Sequence, residues 1–256
     1  MFKILSLLIF IFTFQSALGF VVLIDPGHGG KELGAVSKVT LKNSKGKSYT
    51  RHVYEKDLTL DLAIRLKRKL SKHFSTYLTR SFDRTVSLEK RAELADTVKA
   101  DLFISIHFNS SKSRQSHGFE TYYLDNHADV AIKKVEEIEN QGLEGANKIV
   151  NQILIDLAIQ KTVPTSKKLA KSIHEEISKN MESKYQIRDR GIKPGLFFVL
   201  ALSKRPGVLI EAGFMSHRNE VLKLRSKNYL NSYAQSIADG IIKYQSSLPK
   251  REVPLF

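Results

Sequence analysis

The chain of 256 residues contains no cysteine. That absence removes disulfides, thiolate metal sites and thiol nucleophiles, so any catalytic or metal chemistry must run on histidines, carboxylates or hydroxyls. Other absences narrow the field. No Gly-x-Ser-x-Gly elbow presents a serine nucleophile. Gly46-Lys47-Ser48 resembles the end of a phosphate loop, but Leu41 stands where the first glycine belongs. The glycines around His28 miss the dinucleotide-binding spacing, because Glu32 takes the place of the last one. His174-Glu175-Glu176 opens like a zinc-protease helix, yet Ser178 occupies the position of its second histidine. His52, His73, His117, His127 and His217 have no partner at ligand spacing, and no internal repeat is visible.

What is present begins with charge. The formal net charge is +15, with Lys and Arg scattered rather than gathered into one basic arm. Such a balance suits an anionic partner, an acidic envelope polymer or membrane surface, or simply a solvated basic face. Met1–Gly19 has the organisation of a secretory signal: Lys3, an apolar run from Ile4 to Phe14, then Ala17-Leu18-Gly19 with small residues where a signal peptidase reads. The run is too short to span a bilayer comfortably. Cleavage before Phe20 is therefore expected, with export to the periplasm or cell envelope, where nucleic acid is not an expected partner. Residues 20–246 form one domain of ample length for a buried core. Only the short tail 247–256 follows the last helix, so no wall-targeting module is expected.

The pattern inside that domain alternates strands with helices. Phe20–Asp25, Leu102–Ile106 and Val208–Ile210 are apolar runs of the kind buried on both faces of a sheet. Thr76–Thr79, Phe119–Leu124 and Leu196–Leu202 read as further strands. Leu58, Leu62, Leu66, Leu70 and Phe74 recur at every fourth position and predict a helix over 55–74. Helices are also predicted over Val86–Lys99, Ser166–Met181 and Asn228–Ser246, while the polar stretch Lys38–Arg51 has no period and reads as a loop. The expected fold is α/β: a single three-layer domain with a mostly parallel or mixed central sheet flanked by helices.

Four of these elements end or begin at a metal-competent side chain. They are Asp25-Pro26-Gly27-His28-Gly29-Gly30, Tyr54-Glu55-Lys56-Asp57, Ser105-Ile106-His107-Phe108-Asn109 and Glu211-Ala212-Gly213-Phe214. Alone, each is ordinary: a histidine often sits in a turn, and a first-turn glutamate is favourable against the helix dipole. Together, two imidazoles and two carboxylates supply what a catalytic zinc needs, three protein donors with an open position and a nearby carboxylate. Open α/β sheets gather their sites at the carboxyl ends of strands, where three of these motifs lie.

With Thr79-Arg80 and Arg190-Gly191-Ile192-Lys193, these motifs make the chain resemble the zinc-dependent N-acetylmuramoyl-L-alanine amidases, over nearly all of residues 20–245. That family cuts the bond between muramic acid and the peptide stem of peptidoglycan. The resemblance implies His28, Glu55 and His107 as ligands of one Zn²⁺, Glu211 as the catalytic carboxylate, peptidoglycan as the substrate, and a monomer. Two departures lie beside the motifs: Ser216-His217-Arg218-Asn219 replaces the usual Ser-Asn turn, and Asp96 stands where asparagine is common. A zinc peptidase acting on the stem, or a wall-binding regulator on the same scaffold, are the alternative functions.

Residues 125–164 form an insertion longer than an ordinary strand-to-helix connection. Within it Val130, Ala131, Val135 and Ile138 have helical spacing, and Ile149–Ile159 is more apolar. Division-associated members of the family carry a helix here that covers the zinc cleft until a protein activator displaces it. By that resemblance Glu139, followed by Asn140, is the regulatory carboxylate for the metal's open position, with Glu136 and Glu137 as alternatives of register.

Overall fold

The computed structural model describes residues 19–141 and 148–249; the expected signal segment up to residue 18 and the tail beyond Pro249 lie outside them. Its centre is a six-stranded sheet in the order β4-β1-β5-β8-β6-β7. The strands are β1 (Val21–Pro26), β4 (Ser75–Leu78), β5 (Leu102–Asn109), β6 (Phe119–Leu124), β7 (Asp189–Gly195) and β8 (Gly207–Phe214). β4, β1, β5 and β8 run parallel; β6 is antiparallel to β8, and β7 is parallel to β6. A separate hairpin pairs β2 (Val36–Lys42) with β3 (Ser48–Tyr54).

Helices cover both faces, as a mostly parallel sheet requires. They are α1 (Glu55–Leu70), α2 (Leu88–Thr97), α3 (Val130–Glu139), α4 (Lys148–Ile177), the short α5 (Ser183–Tyr185), α6 (Phe198–Ser203), α7 (Arg218–Leu224) and α8 (Lys227–Ser246). Strand alternation divides the core in two. Val22 and Ile24 of β1, Ile104 and Ile106 of β5, and Val208 and Ile210 of β8 pack with the leucines of α1 and with α4 and α8. Leu23, Phe103 and Leu209 face the other way, toward α2, α3 and α6. The same parity carries Asp25, His107 and Glu211 onto that second face. None of the described helices is long and apolar enough to cross a membrane.

Three local expectations are corrected, and one strand is added. Lys38–Arg51 is not a loop but most of the β2–β3 hairpin, closed by a turn in which the Asn43 carboxamide Oδ1 accepts from the amides of Lys45 and Lys47. Its strands are largely exposed, burying only Val39 and Val53, so no hydrophobic alternation marks them. Leu196–Leu202 is not a strand: Phe198–Ser203 is helix α6, and a short run buried all round has no period to tell helix from strand. Strand β7, by contrast, carries no apolar signal, being only half-buried along most of its length. Finally, α4 continues through Pro164 instead of restarting at Ser166, and gives way at Ser178–Glu182 to a π-helical turn.

Candidate metal centre

His28 follows β1 in a turn with φ of +59°, a left-handed conformation that a side chain rarely adopts. Two buried arginines hold that turn. Arg80 donates to the carbonyls of Pro26 (3.1 Å) and Gly27 (2.8 Å). Arg91 donates to Pro26 (2.9 Å) and His28 (2.9 Å) and pairs with Asp25 at 2.6 Å. Asp25 is completed by the hydroxyls of Thr79 and Ser105. Burial alone raises its pKa, but Arg91 and these hydrogen bonds outweigh burial and hold it below the usual carboxylate range. Gly27 permits the close approach: a Cβ there would lie 2.2 Å from the His107 ring.

Glu55 opens α1, and its backbone and side chain lock it against the loop before β2. Oε2 accepts from the Ala35 amide at 2.7 Å and Oε1 from the Phe108 amide at 2.9 Å. His107 is near the end of β5, where it pairs in register with Glu211 of β8.

These elements bring His28, Glu55 and His107 together with Glu139 of α3, their donor atoms all within 4.8 Å of one another. Glu55 Oε1 lies 3.2 Å from His28 Nε2 and 3.3 Å from His107 Nδ1. Glu139 Oε2 lies 3.5 Å from His28 Nε2 and 2.6 Å from His107 Nδ1. Despite this crowding, His28 Nε2, His107 Nδ1 and Glu139 Oε2 are buried without hydrogen-bond geometry to any partner. Donors turned toward a shared centre rather than toward one another fit a cation, and a set of two nitrogens and two oxygens suits Zn²⁺. Electrostatics agree. Burial disfavours charge on His107, yet the Glu139 and Glu55 carboxylates overcome it and hold its pKa well above the usual imidazole range.

Glu211 stands apart from these four. It is fully buried, and neither carboxylate oxygen has a hydrogen-bond partner among the described residues. Burial, then the Glu139 charge, push its pKa well above the carboxylate range, with His107 opposing. On its other side β6 places Glu120 in register with it. Glu120 is the opposite case: Arg190 (2.5 Å), Lys193 (2.7 Å) and Tyr122 (2.5 Å) all donate to it. Sequence reasoning noted Arg190 and Lys193 only within a motif and passed over Glu120, which has no signal apart from its strand.

The insertion alternatives separate clearly. Glu139 points to the centre, Glu136 accepts from the Leu196 amide at 2.5 Å, and Glu137 is exposed. His174 is a satisfied core histidine between Thr121 (2.9 Å) and Asp189 (2.8 Å). His127 lies 2.5 Å from Glu136, His117 and His217 stack on each other, and His217 caps α7. Asp96 pairs with Arg205 at 2.6 Å. A cleft of about 640 Å³ runs past His28, Glu55, His107 and Glu139 to Asn140 and Phe197.

Comparison with known proteins places this geometry. A family model described as N-acetylmuramoyl-L-alanine amidase matches residues 22–243. The amidase LytC of Bacillus subtilis is 31% identical over 89% of this chain, which spans 36% of that protein. The amidase AmiC of Escherichia coli is 31% identical over 88% of this chain, which spans 52% of it. Among solved structures, an N-acetylmuramoyl-L-alanine amidase from Clostridium difficile 630 superposes with a TM-score of 0.65 at 30% identity, covering 91% of this chain and 100% of that one.

Proposed function

The chain belongs to the N-acetylmuramoyl-L-alanine amidase family, and we propose that it hydrolyses the amide between N-acetylmuramic acid and L-alanine in peptidoglycan. The observation that carries this reading is the convergence of His28, Glu55 and His107 beside an unpartnered, buried Glu211. His28, Glu55 and His107 would hold Zn²⁺. When bound, the ion polarises the scissile carbonyl and brings the pKa of a coordinated water to about 7. The chain's own residues do the rest. Glu211 takes the proton of the attacking water and returns it to the departing amine of L-alanine, as general base and then acid. Its lack of any hydrogen bond leaves both oxygens free for that transfer. The Arg80 and Arg91 contacts hold the His28 turn in place through its backbone carbonyls.

Glu139 gives α3 an inhibitory role in this reading. Its carboxylate would fill the position that water needs, and after burial its charge is the largest influence raising the Glu211 pKa. The closed enzyme is then nearly idle until a protein activator draws α3 away. Export to the periplasm or envelope, and a part in wall remodelling or daughter-cell separation, complete the proposal.

The test is product analysis on purified sacculi, with and without chelator. Release of stem peptides bearing a free L-alanine amine, abolished by chelator, is expected. A new amine elsewhere on the stem would make the protein a zinc peptidase, and tight binding without release a wall-binding regulator.

A further inference from the structure

Helix α3 is fastened to the domain through the backbone of one short segment, Leu196–Phe198. Asn140 Nδ2 donates to the Leu196 carbonyl at 2.8 Å, and the Phe198 amide donates to Asn140 Oδ1 at 2.8 Å. The Leu196 amide donates to Glu136 Oε1 at 2.5 Å, and His127 Nε2 steadies the same oxygen from 2.5 Å. This segment prolongs β7, the strand at the edge of the sheet. The Gly195 carbonyl still faces inward, accepting from the Asp125 amide at 3.3 Å. Successive residues of an extended chain turn their polar groups to opposite sides, so Leu196 and then Phe198 present theirs outward. Phe197 between them is extended, with φ −84° and ψ 117°. The outward series is therefore N–H, C=O, N–H, which is what a free sheet edge offers to an added strand.

A side-chain carboxamide has the donor and acceptor of a peptide group. Asn140 uses both on this edge, as the N–H and C=O of one residue of a paired strand would. Its neighbour Glu139 meanwhile reaches His107 Nδ1 at 2.6 Å. Two consecutive residues thus hold a carboxyl group at the metal centre and an amide on the strand edge. A muramoyl peptide has that same order, a carbonyl to be attacked and then a peptide chain.

We propose that the Leu196–Phe198 edge is a peptide-backbone subsite that receives the stem peptide of the substrate as a short added strand. In the closed enzyme α3 fills it, with Asn140 and Glu136 standing in for that strand. The proposal rests on the amidase reading, since it concerns the peptide side of the amide to be cut. It also explains how one helix blocks both chemistry and binding: Glu139 covers the centre while its neighbours cover the subsite. Asn140 and Phe197 line the same cleft as His28 and Glu55, so the two positions are continuous.

The test uses the full zinc-loaded chain carrying Glu136→Ala and Asn140→Ala, which removes both stand-ins. In that background Phe198→Pro deletes one outward N–H. Proline is well suited to this place: Phe198 is the first residue of α6, and Phe197 already has the extended backbone required before proline. Phe198→Ala loses the same ring but keeps the N–H. With a soluble N-acetylmuramoyl tripeptide, KM of the proline variant is expected about tenfold above that of the alanine variant, the scale of one lost hydrogen bond, with kcat similar. Equal KM values overturn the subsite.

Zinc-loaded protein that cuts no muramoyl peptide in any variant, with Glu139→Ala added as well, defeats the amidase reading instead. Amide hydrogen exchange then still decides the subsite. The Leu196 and Phe198 amides should exchange faster once Asn140 and Glu136 are removed, and slow at least about tenfold when the free stem tripeptide is added. No such slowing overturns the proposal and leaves Leu196–Phe198 as an internal latch only. Asn140→Ala alone serves for the exchange measurement if the double variant does not fold.

Discussion

Arg91 and His28 are joined through the backbone rather than through the imidazole: Arg91 Nη2 donates to the His28 carbonyl at 2.9 Å. The ring is thereby left free to face the metal centre, while the left-handed turn beneath it is tied to the buried Asp25 carboxylate through the same guanidinium. Arg91→Met would strand Asp25 as a buried charge without its cation. The expected loss of stability is roughly 3–5 kcal/mol, the scale of breaking a buried ion pair, read from urea unfolding of the metal-free protein. Zinc affinity should also fall by about 10–100-fold, as when a group supporting a ligand is removed. Unchanged affinity in a folded variant would show that the turn holds His28 unaided.

Glu211 and the three candidate ligands should fail in different ways. Glu211→Gln is nearly isosteric and cannot take a proton, so zinc content should stay normal while turnover drops by about two orders of magnitude or more. His28→Ala should instead lose zinc, because removing one of the three proposed ligands leaves the coordination shell incomplete. Metal analysis beside a turnover assay separates the two. Full zinc in His28→Ala, or near-normal turnover in Glu211→Gln, would overturn the corresponding role.

In the proposed reading Glu139 competes with water for the same centre. Deleting residues 128–145 should raise the low basal activity on peptidoglycan, and Glu139→Ala should do so with α3 still in place. A deletion variant that folds, holds zinc and is no faster would mean that the insertion is structural only.

Acid should destabilise the protein through Asp25 and Glu120. Burial raises both pKa values, but Arg91 for Asp25, and Arg190 and Lys193 for Glu120, bring them below the usual range. Both folded values are thus lower than the unfolded ones, near 3.9 for Asp and 4.3 for Glu. The stabilisation is complete above those values and lost as pH falls through the folded pKa. Urea midpoints of metal-free protein should hold steady for these groups above about pH 5 and decline below about pH 4. Glu120→Gln should flatten part of that decline. An acid limb as steep as that of the unsubstituted protein would clear Glu120 of the effect.

Much of the fold could be read from residue order because the central strands are buried on both faces. Val22–Ile24, Leu102–Ile104 and Val208–Ile210 must be apolar wherever they sit, and Leu58, Leu62, Leu66 and Leu70 must recur at helical spacing. The hairpin β2–β3 escaped notice because both its faces are largely exposed, and α6 because a short run buried all round carries no period. The types of metal-competent side chain, and their places at element ends, were equally legible.

What residue order alone left open is which of these groups meet. His28, Glu55 and His107 are separated by tens of residues, and they converge only because β1 lies beside β5 and α1 begins against the loop before β2. Glu211 joins His107 through the β5–β8 register, in which a shift of one residue would turn its side chain to the opposite face. The same holds for the three glutamates of α3. Glu136, Glu137 and Glu139 are alike in a helical pattern, and the seating of Asn140 on Leu196 and Phe198 sets the rotation that sends Glu139 to the centre, Glu136 to a backbone amide and Glu137 to solvent. A helix's own hydrogen bonds are indifferent to rotation about its axis, so only packing against a second element can choose which side chain faces inward.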